Sequence, residues 1–149
     1  MNRLTFTALT GALAGLLSTK SLAADTQVVA FLQRVGPTAE YVTSVCTGAL
    51  VLGAAGLLRG YRATTHWVVR DVLGMLGATP VAERVVVDRN RITGAGVTAG
   101  FDFGLRMAAK LRSDDYARML QLAYEYDPQP PVVASAREAA GIARDRLAL

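Results

Sequence analysis

The sequence is poor in the residues that most often carry redox, metal and proton-transfer chemistry: 149 residues contain one cysteine, one histidine and one tryptophan. One cysteine excludes an intramolecular disulfide, and a cysteine-rich zinc site is excluded with it. The redox compartment therefore leaves no signature in the sequence. Lysine is also scarce, with two against fourteen arginines and twelve acidic residues, for a formal charge of +4. These charges are scattered, so the positive balance favours anionic partners only weakly. No zinc-finger spacing, RNP-like aromatic run or basic arm is present, and nucleic acid is not an expected partner. No apolar run reaches the roughly 20 residues that a membrane span needs, so no stable span is expected.

What is abundant is apolar: 52% of the residues are hydrophobic, enough for one globular domain with a real core. The first 23 residues stand apart. Arg3 precedes a charge-free stretch from Leu4 to Leu17, and Ser21-Leu22-Ala23 places small residues where a signal peptidase reads them. This pattern predicts a signal-like segment over 1–23 and a periplasmic or secreted protein. The alternative is a core helix and a cytoplasmic location. A domain is expected over 24–127, followed by a Pro-rich linker and a C-terminal amphipathic helix within 128–149.

Within the domain, Val28, Val29, Phe31, Leu32 and Val35 recur at helical spacing behind Asp25, a residue type suited to an N-cap. Tyr41 to Val45 is a β-branched, aromatic run of strand length, and it leads directly into Cys46-Thr47-Gly48 and an apolar helix to Leu58. A short strand is expected over Ala63–His66, and a helix from Val68 to Leu76 closed by Gly77. Arg84–Val87 and Arg91–Thr93 flank Asp88-Arg89-Asn90 as a hairpin would. Helices should follow over Thr98–Leu111 and, opened by Ser113-Asp114-Asp115, through Tyr124. Such alternation predicts an α/β fold of the flavodoxin-like, doubly wound kind: a mostly parallel sheet, mixed at the hairpin edge, with helices on both faces.

Ligands of such sheets bind at the carboxyl ends of strands, and Cys46 lies at one. A cysteine on a tight turn between a strand and a helix has its sulfur near the helix N-terminus, where free N–H groups favour a thiolate or a developing oxyanion. Gly48 suits the close backbone approach of such a turn. A free cysteine is equally a common core residue, so these residues alone leave both roles open.

The longer string from Tyr41 to Leu58, Tyr-Val-Thr-Ser-Val-Cys-Thr-Gly-Ala-Leu-Val-Leu-Gly-Ala-Ala-Gly-Leu-Leu, followed by Ala63-Thr64-Thr65-His66-Trp67, closely resembles the ThiJ/PfpI family of the class I glutamine-amidotransferase-like superfamily. With Gly96-Val97-Thr98-Ala99-Gly100 it looks like the isonitrile hydratase branch, and the resemblance runs from about Asp25 to about Tyr126. It implies a lyase in which Cys46 attacks the isonitrile carbon to give a thioimidate, Thr47 orients substrate or stabilises the intermediate, and water releases an N-substituted formamide. Gly48 and Thr98 are implied substrate contacts, Thr98 having helix capping as its plainer role. His66 is read as a structural histidine supporting the site, and Trp67 as core. Thr47 stands where protease-like relatives carry histidine, which argues against a Cys-His hydrolase. No cofactor or metal is expected.

The resemblance also implies a carboxylate near the elbow cysteine, delivered by a strand-to-helix connection that would precede Asp25. No residue matches it, so the domain is expected to be incomplete on its N-terminal side. A second copy supplying the missing part makes a homo-oligomer, a dimer, the expected assembly. Two other readings remain: a non-catalytic ligand-sensing domain like those fused to AraC-type regulators, and a thiol stress sensor. No helix-turn-helix pair is legible after Pro131, so direct DNA reading is not expected.

Overall fold

The computed structural model describes residues 25–129. The segment read as signal-like over 1–23 and the helix expected beyond Pro131 lie outside the described residues. Helix α1 (Thr26–Val35) is capped as its sequence predicts. The Asp25 carboxylate accepts from the N–H groups of Gln27 and Val28 at 2.8 and 3.2 Å, satisfying two amides that a helix start leaves open. Pro37, in the 3-10 turn that follows, prevents the helix from continuing.

Strand β1 (Val42–Val45) passes through Cys46 and Thr47 into α2 (Gly48–Ala54). The helix is shorter than the expected run to Leu58. Gly56 takes φ +74°, and the chain turns back so that Leu57 N–H donates to Leu52 O at 3.0 Å and Gly56 N–H to Gly53 O at 2.9 Å. A left-handed glycine at this position is what closes a helix C-terminus in the Schellman manner. The segment after it also differs from expectation. Of the strand expected over Ala63–His66, only β2 (Arg62–Ala63) forms a ladder, and the Thr64 amide and the Thr65 hydroxyl bond to Thr93 and Cys46 instead. The helix expected from Val68 to Leu76 divides into a 3-10 turn at Trp67–Val69 and one α-turn, α3 (Val72–Met75). Gly77 closes α3 as predicted, at φ +84°.

Strand β3 (Thr79–Pro80) pairs with β2 in a small parallel sheet that the sequence pattern did not suggest. Strands β4 (Val85–Asp88) and β5 (Arg91–Gly94) form the expected hairpin, with Arg89 in the left-handed region at φ +53°. The Arg89 guanidinium holds the turn by bonding Asp88 at 3.0 Å and Gly60 O at 2.8 Å. Strand β5 runs parallel to β1, so the main sheet has the order β1-β5-β4 and is mixed at the hairpin edge. Helices α4 (Ala99–Leu111) and α5 (Asp114–Ala123) follow, and Ser113 Oγ caps α5 by accepting from Tyr116 N–H at 3.1 Å.

Strand alternation separates two cores. Val42 points with Leu32, Val51, Leu52, Leu58 and Leu73 into a cluster made by α1, α2 and α3. On the opposite face Ile92, Val45, Val85 and Val87 pack against Phe103 and Met107 of α4. Helices thus cover both faces of the sheet, the α/β arrangement expected, and β1 is buried between them. Leu58→Ala, at a fully buried position, should lower stability by about 2–5 kcal/mol in urea unfolding. Leu122→Ala, on the exposed surface of α5, should change it by less than about 0.5 kcal/mol.

Candidate functional site

The in-register parallel ladder carries β1 to its end with Val45 opposite Gly94. The next amide, Cys46 N–H, donates to Gly94 O at 3.0 Å. Cys46 itself then adopts φ +57°, and Thr47 at φ −67° starts the turn into α2. A non-glycine residue in the left-handed region costs roughly 1–2 kcal/mol, so the surrounding bonds must hold it there. One of these bonds is from the Thr65 hydroxyl, which donates to Cys46 O at 2.7 Å. The sharp reversal places the cysteine at the junction of a strand end and a helix start, the geometry of a nucleophile elbow. The left-handed position falls on Cys46 and not on Gly48, which is an ordinary first residue of α2.

Cys46 and Thr47 are almost completely buried, and Gly48 is buried beside them. Thr47 makes no capping bond to α2 with its side chain. His66 follows Thr65 directly, so the segment that braces the elbow also carries the histidine. Its Nδ1 accepts from Val68 N–H at 3.4 Å, and no hydrogen bond joins it to Cys46. Partial burial pushes the imidazole below its ordinary pKa, and the nearby Arg70 guanidinium pushes it the same way, so the neutral ring is favoured. The ring lies beside the Gly96 turn, where a Cβ on Gly96 would meet His66 Cδ2 at 3.6 Å. That turn leads to Thr98, which is exposed at the start of α4 and makes no capping bond with its side chain. Trp67, read as core, is instead on the surface at 36% exposure, its ring tilted against His66. The short 3-10 turn carries it outward.

Residue patterns gave Thr65, Thr93 and Gly94 no site role, yet all three build the site. Thr93 stands opposite Ser44 in the ladder, and its hydroxyl accepts from Thr64 N–H at 2.9 Å. A pair of adjacent buried threonines after a glycine turn is the only local hint. Among the described residues no Asp or Glu bonds to Cys46, and no group of three or more His, Cys, Asp or Glu is placed to hold a metal ion. No helix of the described residues is long and apolar enough to cross a membrane. A groove of about 490 Å³ between β4, α4 and α5 is lined by Arg84, Asp102, Arg106 and Arg118, and no elbow residue reaches it.

The model of the DJ-1/PfpI family matches residues 13–110. The chain belongs to the DJ-1/PfpI family. The match begins inside the segment read as signal-like. Isonitrile hydratase of Pseudomonas putida is 56% identical to this DJ-1/PfpI chain over 107 residues, which cover 72% of the chain and 47% of the relative. The crystal structure of a ThiJ/PfpI family protein from Pseudomonas syringae superposes with a TM-score of 0.80 at 55% identity, covering 87% of the chain and 54% of the other. The HTH-type transcriptional regulator GbdR of Pseudomonas aeruginosa is 31% identical over 103 residues, covering 66% of the chain and 28% of the regulator. The chain therefore spans about half the length of the isonitrile hydratase and of the solved relative.

In an NMR titration the His66 ring should change protonation below pH 6.5, and Arg70→Ala should move its midpoint upward by removing the neighbouring charge. A depressed folded-state pKa means that the histidine's contribution to stability is complete above about pH 6.5. It should decline as pH falls from there through the folded midpoint.

Proposed function

We propose that the chain acts through Cys46 as an isonitrile hydratase, converting R–N≡C and water into R–NH–CHO. The observation that carries this reading is the left-handed Cys46 at the carboxyl end of a buried parallel strand, and the 56% identity to an isonitrile hydratase directs it to that substrate class. The Cys46 thiolate adds to the terminal isonitrile carbon, a carbon–sulfur bond forms, and the carbon takes a proton to give a thioimidate. Water then adds to the carbon–nitrogen double bond and nitrogen takes a proton. The tetrahedral intermediate expels the thiolate and leaves the N-substituted formamide.

Thr47, next to the sulfur, orients substrate or supports the intermediate, with Gly48 and Thr98 as substrate contacts. His66, neutral and bonded to Val68 N–H, keeps the Thr65–Val69 segment in shape and is not the base. No carboxylate of the described residues reaches the sulfur, so acid–base help at the carbon must come from outside them. General acid–base assistance is worth about 10² to 10⁴ in rate, and a chain without it would be slow by that factor. A homodimer in which a second copy completes the site is part of this proposal, as is export directed by residues 1–23.

The 31% identity to a transcriptional regulator favours a second reading, a domain that binds a small molecule without turning it over. Incubation with cyclohexyl isonitrile separates the two. Formamide production that Cys46→Ala abolishes, with a covalent adduct seen by mass spectrometry in the wild type, supports the hydratase. Binding without formamide supports the sensor, and peroxide-driven sulfinic acid at Cys46 without either supports a thiol sensor. Native mass spectrometry of the protein recovered from its producing cells should give a dimer whose subunits begin at Ala24. A monomer with residues 1–23 retained would remove both assembly and export.

A further inference from the structure

We infer that Thr65 is a positioning residue for the Cys46 nucleophile, holding it in its left-handed conformation by a hydrogen bond to the cysteine's own carbonyl. This rests on the proposed cysteine chemistry but assigns a role to a residue outside the elbow string. The direction of a side chain is set by the two peptide planes that flank its Cα. At Cys46 each plane has one anchor. The preceding plane is tied through Cys46 N–H to Gly94 O at 3.0 Å, and the following plane through Cys46 O to the Thr65 hydroxyl at 2.7 Å. The first anchor is a continuation of the β1–β5 ladder and would exist in an ordinary strand. The second is a side-chain bond across nineteen residues of sequence, between two groups that are shut off from water. Without it the Cys46 carbonyl is buried with no donor in its place, and the left-handed turn loses the bond that opposes its intrinsic strain.

Thr65 is itself rigidly seated. It is fully buried, the amide of its neighbour Thr64 is bonded to Thr93 Oγ1 at 2.9 Å, and Thr93 belongs to the same strand as Gly94. Both anchors of the cysteine thus trace to β5, one through its backbone and one through the hydroxyl of Thr93. The elbow and the strand that aligns it are therefore joined by both anchors.

The test uses two substitutions with opposite chemistry in the full chain. Thr65→Val keeps the shape and removes the donor, whereas Thr65→Ser keeps the donor and removes a methyl group. Thr65→Ala serves as a second donor-free variant if the valine protein does not fold. Two readouts are taken: kcat for cyclohexyl isonitrile, and the NMR amide and Cβ resonances of Cys46, which report its backbone conformation without any substrate. Thr65→Val should lower kcat by about tenfold to a hundredfold, with a smaller change in KM, and should shift the Cys46 resonances. Thr65→Ser should restore both to near wild type. The reverse order, with valine silent and serine impaired, would show a packing role and overturn the proposal, as would unshifted Cys46 resonances in both donor-free variants. If the wild type does not turn over isonitrile, the hydratase reading fails, while the NMR arm still decides whether Thr65 positions Cys46.

Discussion

A single backbone angle organises this molecule: the left-handed φ of Cys46, forced on a residue that does not favour it. Such a conformation survives only when neighbouring structure over-determines it, and here the over-determination has three parts. The parallel ladder delivers the cysteine amide to Gly94, the hydroxyl of Thr65 captures its carbonyl, and α2 begins two residues later. The result is a sulfur-bearing residue at the seam of a strand and a helix.

The two cores make that seam stiff. One lies under α1, α2 and α3, the other under α4, and β1 is held between them. Glycines close the helices where the chain must turn back toward the sheet, with Gly56 ending α2 and Gly77 ending α3. Between β2 and the 3-10 turn at Trp67, residues 64–66 belong to neither ladder nor helix. The Thr64 amide, the Thr65 hydroxyl and the His66 ring then bond to the elbow strand pair and to the next turn, not to secondary structure of their own.

The length relation to its relatives bears on chemistry more than on ancestry. Elbow strand, elbow helix, bracing segment and hairpin all lie within the matched region, which is why the fold of the family is present. The backbone support of Cys46 is local to that region. Among the described residues no Asp or Glu bonds to Cys46, so the geometry of the cysteine and the acid–base part of the proposed reaction are separable.

Local chemistry was readable residue by residue. Asp25 as a cap, the β-branched run into Cys46, the Asp88-Arg89-Asn90 turn, Ser113 as a cap and Gly77 as a terminator all depend on bonds between near neighbours, and each formed where the pattern indicated. The position of Cys46 at a strand-to-helix junction was legible for the same reason. Three things were decided by tertiary structure alone: that Cys46 and not a glycine takes the strained angle, that the expected strand and helix over 63–76 break into short pieces, and that Thr65 and Thr93 build the site. The bonds responsible join residues nineteen and twenty-nine positions apart, and periodicity or propensity along the chain carries no information about such pairs. Local sequence determined the caps, the hairpin and the location of the cysteine. Only long-range packing, by bringing the Thr65 hydroxyl to the Cys46 carbonyl and the Thr64 amide to Thr93, decided how that cysteine is held.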